Sequence, residues 1–75
     1  MSEPVARSLK TGDRPINLTQ ALKLAGYVQS GGEAKAVIST GAVRVNGEIE
    51  HRKRRQLKAG DVVLLEDGRT VEISV

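Results

Sequence analysis

The residues with most chemical potential in this 75-residue chain are basic and crowded. His51-Arg52-Lys53-Arg54-Arg55 and Lys58 fall within eight positions. Such a run repels itself unless an anion meets it, and arginine forks fit phosphate oxygens. The chemistry implied is phosphate binding; the alternative is a solvated loop. A second feature is Ser30-Gly31-Gly32, followed by Lys35. Glycine inside a helix costs about 1 kcal/mol relative to alanine, so two at a helix start need a reason. One is close approach of an anion to exposed helix amides. The other is a tight interhelical turn.

Catalysis has little to work with. His51 is the sole histidine, there is no cysteine, and Ser30 and Ser39 have no base near them in sequence. Glu33, Asp61 and Asp67 sit at expected caps and turns, where carboxylates have structural roles. No phosphate-cradling loop or metal-ligand spacing occurs. The expected catalytic set, metal set and cofactor are therefore none. Tyr27 is the one aromatic residue. Readers of single strands stack bases on aromatic side chains, so a nucleic-acid partner should be folded RNA recognised by backbone and shape.

The positioning elements follow from pattern. Asn17 with Gln20 reads as a helix start, with Ile16 and Ala21 placed for a hydrophobic staple. Leu18, Ala21, Leu22 and Ala25 form an apolar stripe, and Gly26 ends it. Ser30-x-x-Glu33 reads as a capping box for a second helix carrying Ala34, Val37 and Ile38, ended by Gly41. Neither helix is long enough to stand alone. Val5 and Leu9 suit a short edge strand, and Gly12, Asp13 and Pro15 a turn. Ala42-Val43-Arg44-Val45 reads as a strand and Asn46-Gly47 as a turn. Matching apolar faces pairs Val45 with Ile49 and predicts a longer or bulged turn there. A two-residue Asp67-Gly68 turn would pair Leu64 with Val71, Val62 with Ile73 and Glu66 with Arg69. The order predicts an α+β fold, a short helical hairpin packed on a small antiparallel β-sheet.

Charge is uneven. Residues 1–60 hold eleven Lys and Arg against five acids, whereas residues 61–75 hold Arg69 against four acids. A basic body with an acidic end suits a protein presenting one face to a polyanion. The apolar runs are far shorter than the about 20 residues of a membrane span. The first residues show no secretion signal, so a cytoplasmic protein is expected.

These parts, in this order, resemble the S-four RNA-binding domain, named for the fourth small-subunit ribosomal protein. Bacterial tyrosyl-tRNA synthetases and many pseudouridine synthases carry that domain. The likeness rests on Leu18 to Gly26, on Ser30 to Ile38, on Gly41-Ala42-Val43-Arg44-Val45-Asn46-Gly47, and on Gly60-Asp61-Val62-Val63. The Ser-Gly-Gly-Glu-Ala-Lys variant resembles a subgroup of small stand-alone bacterial proteins. Gly31 stands where most members carry arginine. The resemblance implies an S-four-like αL motif and one RNA-binding domain over residues 1–75, with its core at about 16–65. It implies an RNA face of Lys35, Arg44, Arg52, Lys53, Arg54 and Arg55, with Lys23, Lys58 and the Ser30-Gly31-Gly32 stretch beside them. The expected partner is structured RNA: ribosomal RNA, transfer RNA or a ribosomal subunit, bound by a monomer with no membrane contact. The alternatives are a protein-interaction adaptor and an accessory subunit of an RNA-modifying enzyme.

Overall fold

A computed structural model of the chain describes residues 6–12 and 14–75. In chain order the elements are β1 (Ala6–Lys10), β2 (Ile16–Asn17), α1 (Leu18–Leu24), α2 (Gly31–Ser39), β3 (Val43–Val45), β4 (Glu48–Ile49), β5 (Gln56–Leu57), β6 (Val62–Leu65) and β7 (Thr70–Ser74). Five strands form one sheet in the order β1-β7-β6-β3-β4, while β2 and β5 make a separate antiparallel pair. The two helices lie on one face of the larger sheet. Leu18, Leu22 and Ile38 pack there with Val43, Val45, Val63, Val71 and Ile73. Among the described residues no helix is long and apolar enough to cross a membrane.

The helix ends form for the reasons the sequence predicts. Asn17 and Gln20 exchange both capping-box bonds at 2.9 Å. The staple residues Ile16 and Ala21 are both buried in the core. At the other end of α1, Gly26 adopts φ 77°. The Gly26 and Tyr27 amides donate back to the Lys23 and Leu22 carbonyls. That is a Schellman stop, and a side chain at Gly26 would be strained there. In α2 the Ser30 hydroxyl accepts from the Glu33 amide at 3.1 Å. The return bond differs from the expected box, because the Glu33 carboxylate accepts from the Gln29 amide, one residue earlier.

The helical hairpin on a small sheet is observed, but the sheet is mixed. β1 pairs parallel to β7, with Leu9 opposite Ile73. Almost the whole domain separates the two strands, so no tight hairpin forces them antiparallel. Leu9 packs against the core from this edge strand. Val5 and Asp13, assigned above to the strand and its following turn, lie outside the described residues.

Two hairpin registers differ from expectation. At Asn46-Gly47 the turn is a tight two-residue loop, pairing Val45 with Glu48 and Arg44 with Ile49. Both residues have positive φ, 53° and 90°, the signature of a type I′ turn. Face matching fails because both residues of β4 are exposed, so Ile49 has no core to meet. In the last hairpin Val63 pairs with Val71 and Leu64 with Thr70. The Leu65 amide donates to the Arg69 carbonyl, leaving a three-residue loop, Glu66-Asp67-Gly68. Four consecutive apolar residues, Val62 to Leu65, leave the inward face undetermined by pattern. The other neighbour decides it: β3 places Val45 beside Val63 and Val43 beside Leu65. Val62 and Leu64 therefore face outward.

Candidate nucleic-acid interface

The basic run forms an ordered loop, fastened at both ends and in the middle. The β2–β5 pair, Ile16 with Leu57 and Asn17 with Gln56, clamps its exit against the start of α1. Within the loop, the Arg55 carbonyl accepts from the Leu18 amide at 2.9 Å and the Lys53 carbonyl from the Thr19 amide at 3.1 Å. The Thr19 hydroxyl also donates to the Lys53 carbonyl, at 2.8 Å. These carbonyls, with the Asn17 side chain, satisfy the first three amides of α1, donors a helix cannot satisfy internally. Backbone oxygens turned inward leave the side chains of Lys53 and Arg54 outward.

Below the loop lies Glu50, 6% exposed. Arg52 meets its carboxylate with two bonds of 3.1 Å, through Nε and Nη2. Arg55 Nη1 donates to it at 2.8 Å. The side-chain bonds from Arg52 and then Arg55 outweigh the effect of burial and lower the Glu50 pKa to about 2. Two members of the basic run thus carry an internal counter-charge. Asp61 anchors the far end: it accepts from Asn46 Nδ2 at 3.0 Å and from the Lys58 amide at 2.9 Å. Burial pushes its carboxyl up, but those hydrogen bonds and the nearby Lys58 and Arg55 charges hold it below the usual range.

The remaining cations converge. Lys23 from α1, Lys35 from α2, and Lys53 and Arg54 from the loop line one groove. Among the described residues none of these four forms an ion pair. Gly31 and Gly32 form part of the wall. Neither has positive φ, and a Cβ would meet nothing within 4 Å at Gly31 and only the Ser30 hydroxyl, 3.8 Å away, at Gly32. The interhelical turn therefore does not require glycine at these positions. What their missing side chains leave is open groove beside the first turn of α2. Four cations without an ion pair among the described residues thus stand beside the first turn of α2, an arrangement whose donors and charge suit phosphate oxygens.

The other expected site residues fall elsewhere. Arg52 and Arg55, both bonded to Glu50, line an adjoining depression with Lys53 and Arg54 rather than the groove itself. The Ser30 hydroxyl is engaged as the α2 cap. Arg44 points from the sheet face opposite the helices, donates to the Gly47 carbonyl at 3.2 Å, and lines a separate depression with Ile49 and Leu64. Lys58 is exposed beyond the loop and outside the groove. Sequence reasoning missed Glu50, whose one signal is an acid just before a basic run. It also missed Thr19 and Gln20, which line the groove between the cations.

Tyr27 offers no stacking platform. It is 5% exposed and its hydroxyl donates to the Thr70 carbonyl. The Arg7 and Arg69 guanidinium carbons lie 5.6 and 4.9 Å from its ring centroid. The serines are also engaged by backbone: Ser39 donates to the Lys35 carbonyl at 2.6 Å. Among the described residues no group of three His, Cys, Asp or Glu side chains could hold a metal ion.

Comparison with known proteins bears on the family and the fold. A family model described as the S4 domain, the S-four family introduced above, matches residues 9–74. The Bacillus subtilis protein named "Probable ribosome maturation protein RlbA" is 44% identical over 62 residues, 83% of this chain and 87% of the relative. YbcJ of Escherichia coli is 44% identical over 48 residues, 64% of this chain and 69% of the relative. The solution structure of YbcJ, described as revealing an αL motif involved in RNA binding, aligns with a TM-score of 0.65 at 36% identity, covering 100% of this chain and 92% of that one. A model match across nearly the whole length, joined to a relative aligned over most of both chains, places this chain in the S4 domain family.

Proposed function

We propose that this chain binds folded RNA and catalyses nothing on it, holding the phosphate backbone in the groove between α1, α2 and the basic loop. The carrying observation is the convergence of Lys23, Lys35, Lys53 and Arg54, without ion pairs among the described residues, on the open Gly31-Gly32 corner. The enclosed position of Tyr27 supports a folded rather than a single-stranded target. The relatives support the RNA assignment: one is named for ribosome maturation, and the YbcJ structure is described by an RNA-binding motif. The RNA in this reading is ribosomal or transfer RNA, free or within a ribosomal subunit. The protein acts on it as a cytoplasmic monomer.

The test is a titration of the chain with a folded RNA, a shuffled-sequence folded equivalent and a poly-pyrimidine strand, each at several salt concentrations. Four phosphate contacts in this groove contribute roughly −2.8 to −3.6 to the log–log salt slope, which any further phosphate contact makes steeper. The two folded RNAs should bind about equally, and the unstructured strand more weakly. A slope shallower than about −1, or a preference for the poly-pyrimidine strand, overturns the proposal.

A further inference from the structure

The basic groove does not end at α1. Its residues Gln20 and Lys23 are also the wall of a second groove, whose opposite side is the end of β1 with the segment that follows it. That segment contributes Lys10, Arg14 and Pro15, and α1 adds Leu24. We propose that Lys10, Arg14 and Lys23, with the exposed Leu24, form a second subsite for the RNA backbone, continuous with the first across α1. The inference rests on the RNA-binding reading and extends it beyond the family's core motif.

Three observations carry it. First, Lys10, Arg14 and Lys23 form no ion pair among the described residues, and no acidic side chain is among those described as lining this groove. Arg69, in contrast, is bonded to Asp67 and lies over Tyr27. Cations gathered in one groove without a described ion-pair partner repel one another, and an anion entering it relieves that repulsion. Second, the segment is held in place. The Thr11 amide and hydroxyl both donate to the Ser74 carbonyl, at 2.9 and 3.2 Å, and the Arg14 amide donates to the Thr11 carbonyl at 3.2 Å. Lys10 and Arg14 thus stand beside hydrogen-bonded backbone at Thr11 and Arg14, which reduces the ordering cost of binding. Third, Leu24 is 68% exposed at the groove's edge. An apolar side chain beside cations matches a polymer that alternates ribose faces with phosphates. From Asn17 to Leu24 the α1 wall is about 10 Å long at helical rise, so one RNA segment can follow it from groove to groove.

The experiment is an amide chemical-shift titration of the full chain with a folded RNA hairpin, paired with the double substitution Lys10→Glu/Arg14→Glu. Amides of Lys10, Thr11 and Arg14 should shift with the same dissociation constant as those of Gly31 and Lys53. The double variant should lose about tenfold or more in affinity, and its salt slope should become shallower by about 1.4–1.8, the contribution of two phosphates. Its Gly31 and Lys53 amides should still shift at saturation. If Gly31 and Lys53 respond while residues 10–14 do not, or if the variant binds at wild-type strength, the second subsite is wrong and the first groove stands. If no amide responds, the RNA-binding reading itself fails. Should the reversal disturb folding, Lys10→Ala/Arg14→Ala gives the same comparison with a shallower loss of charge.

Discussion

Arg55 donates to the buried carboxylate of Glu50 at 2.8 Å, so an arginine of the basic run is spent on holding that run in shape. The same carboxylate takes Arg52, leaving Lys53 and Arg54 raised between two tethered neighbours. Glu50→Gln removes the charge while keeping the shape. It should lower stability by about 2 kcal/mol, the scale of hydrogen bonds to a charged group. In a chain this short that is a fall of roughly 8–16 °C in melting temperature. RNA affinity should fall as well, because the carboxylate no longer holds Arg52 and Arg55, and with them Lys53 and Arg54, in place, and this loss of positioning outweighs the gain in positive charge. The pH dependence has a definite sign. The folded pKa is lowered to about 2 from the usual 4.5, so the stabilisation is complete above about pH 4.5 and is lost as pH falls toward 2. Acid titration followed by circular dichroism should show a transition in that window that is smaller in the variant. Equal melting curves for the two proteins would rule out the clamp.

Free and tethered cations should separate by readout. Lys53→Ala/Arg54→Ala should weaken RNA binding about tenfold or more, and unfolding should move by less than about 0.5 kcal/mol, as for exposed substitutions without structural partners. Arg55→Ala should instead lower stability by about 1.5–3 kcal/mol, because it leaves part of a buried carboxylate unpaired. Thermal melts and affinity measured on the same preparations check this. Loss of stability in the Lys53/Arg54 variant would contradict the assignment.

The glycine corner predicts opposite effects on folding and binding. Gly31→Ala should leave stability unchanged or raise it by about 0.4–1 kcal/mol, since the backbone is not left-handed there and a Cβ meets nothing. Gly32→Leu should fold but fill the groove and reduce RNA affinity. Unchanged affinity in Gly32→Leu, measured alongside a normal melting curve, would show that nothing approaches this corner closely.

The Asn46-Gly47 turn is expected to act on stability alone. Asn46 bonds Asp61 through Nδ2 and accepts from the Val62 amide at 2.9 Å, tying the β3–β4 hairpin to the end of the basic loop. Gly47 has φ 90°, where a β-branched residue is strained although the space around it is open. Gly47→Val should destabilise by about 1–3 kcal/mol, with the folded fraction binding RNA normally. A variant that melts like wild type yet fails to bind RNA would make the turn a contact.

Local chemistry was legible in the sequence because its causes are local. Asn17 with Gln20, Ser30 with Glu33, and Gly26 each act within one helical turn, so residue type and spacing suffice to place both helix starts and the end of the first. The basic run was equally plain, and with the absence of cysteine and the shortage of aromatics it pointed to phosphate rather than to catalysis. Tertiary structure decided what depends on partners distant in the chain. The inward face of Val62 to Leu65 was settled by β3, not by alternation. The direction of β1 was settled by β7, whose paired residues lie 64 positions away in sequence. Which cations are paired was settled by one buried acid: Glu50 holds both Arg52 and Arg55, which share its single negative charge, while the helix pair brings Lys23 and Lys35 to Lys53 and Arg54. Charge counts are additive along a chain, but burial and pairing are properties of surfaces that meet only on folding.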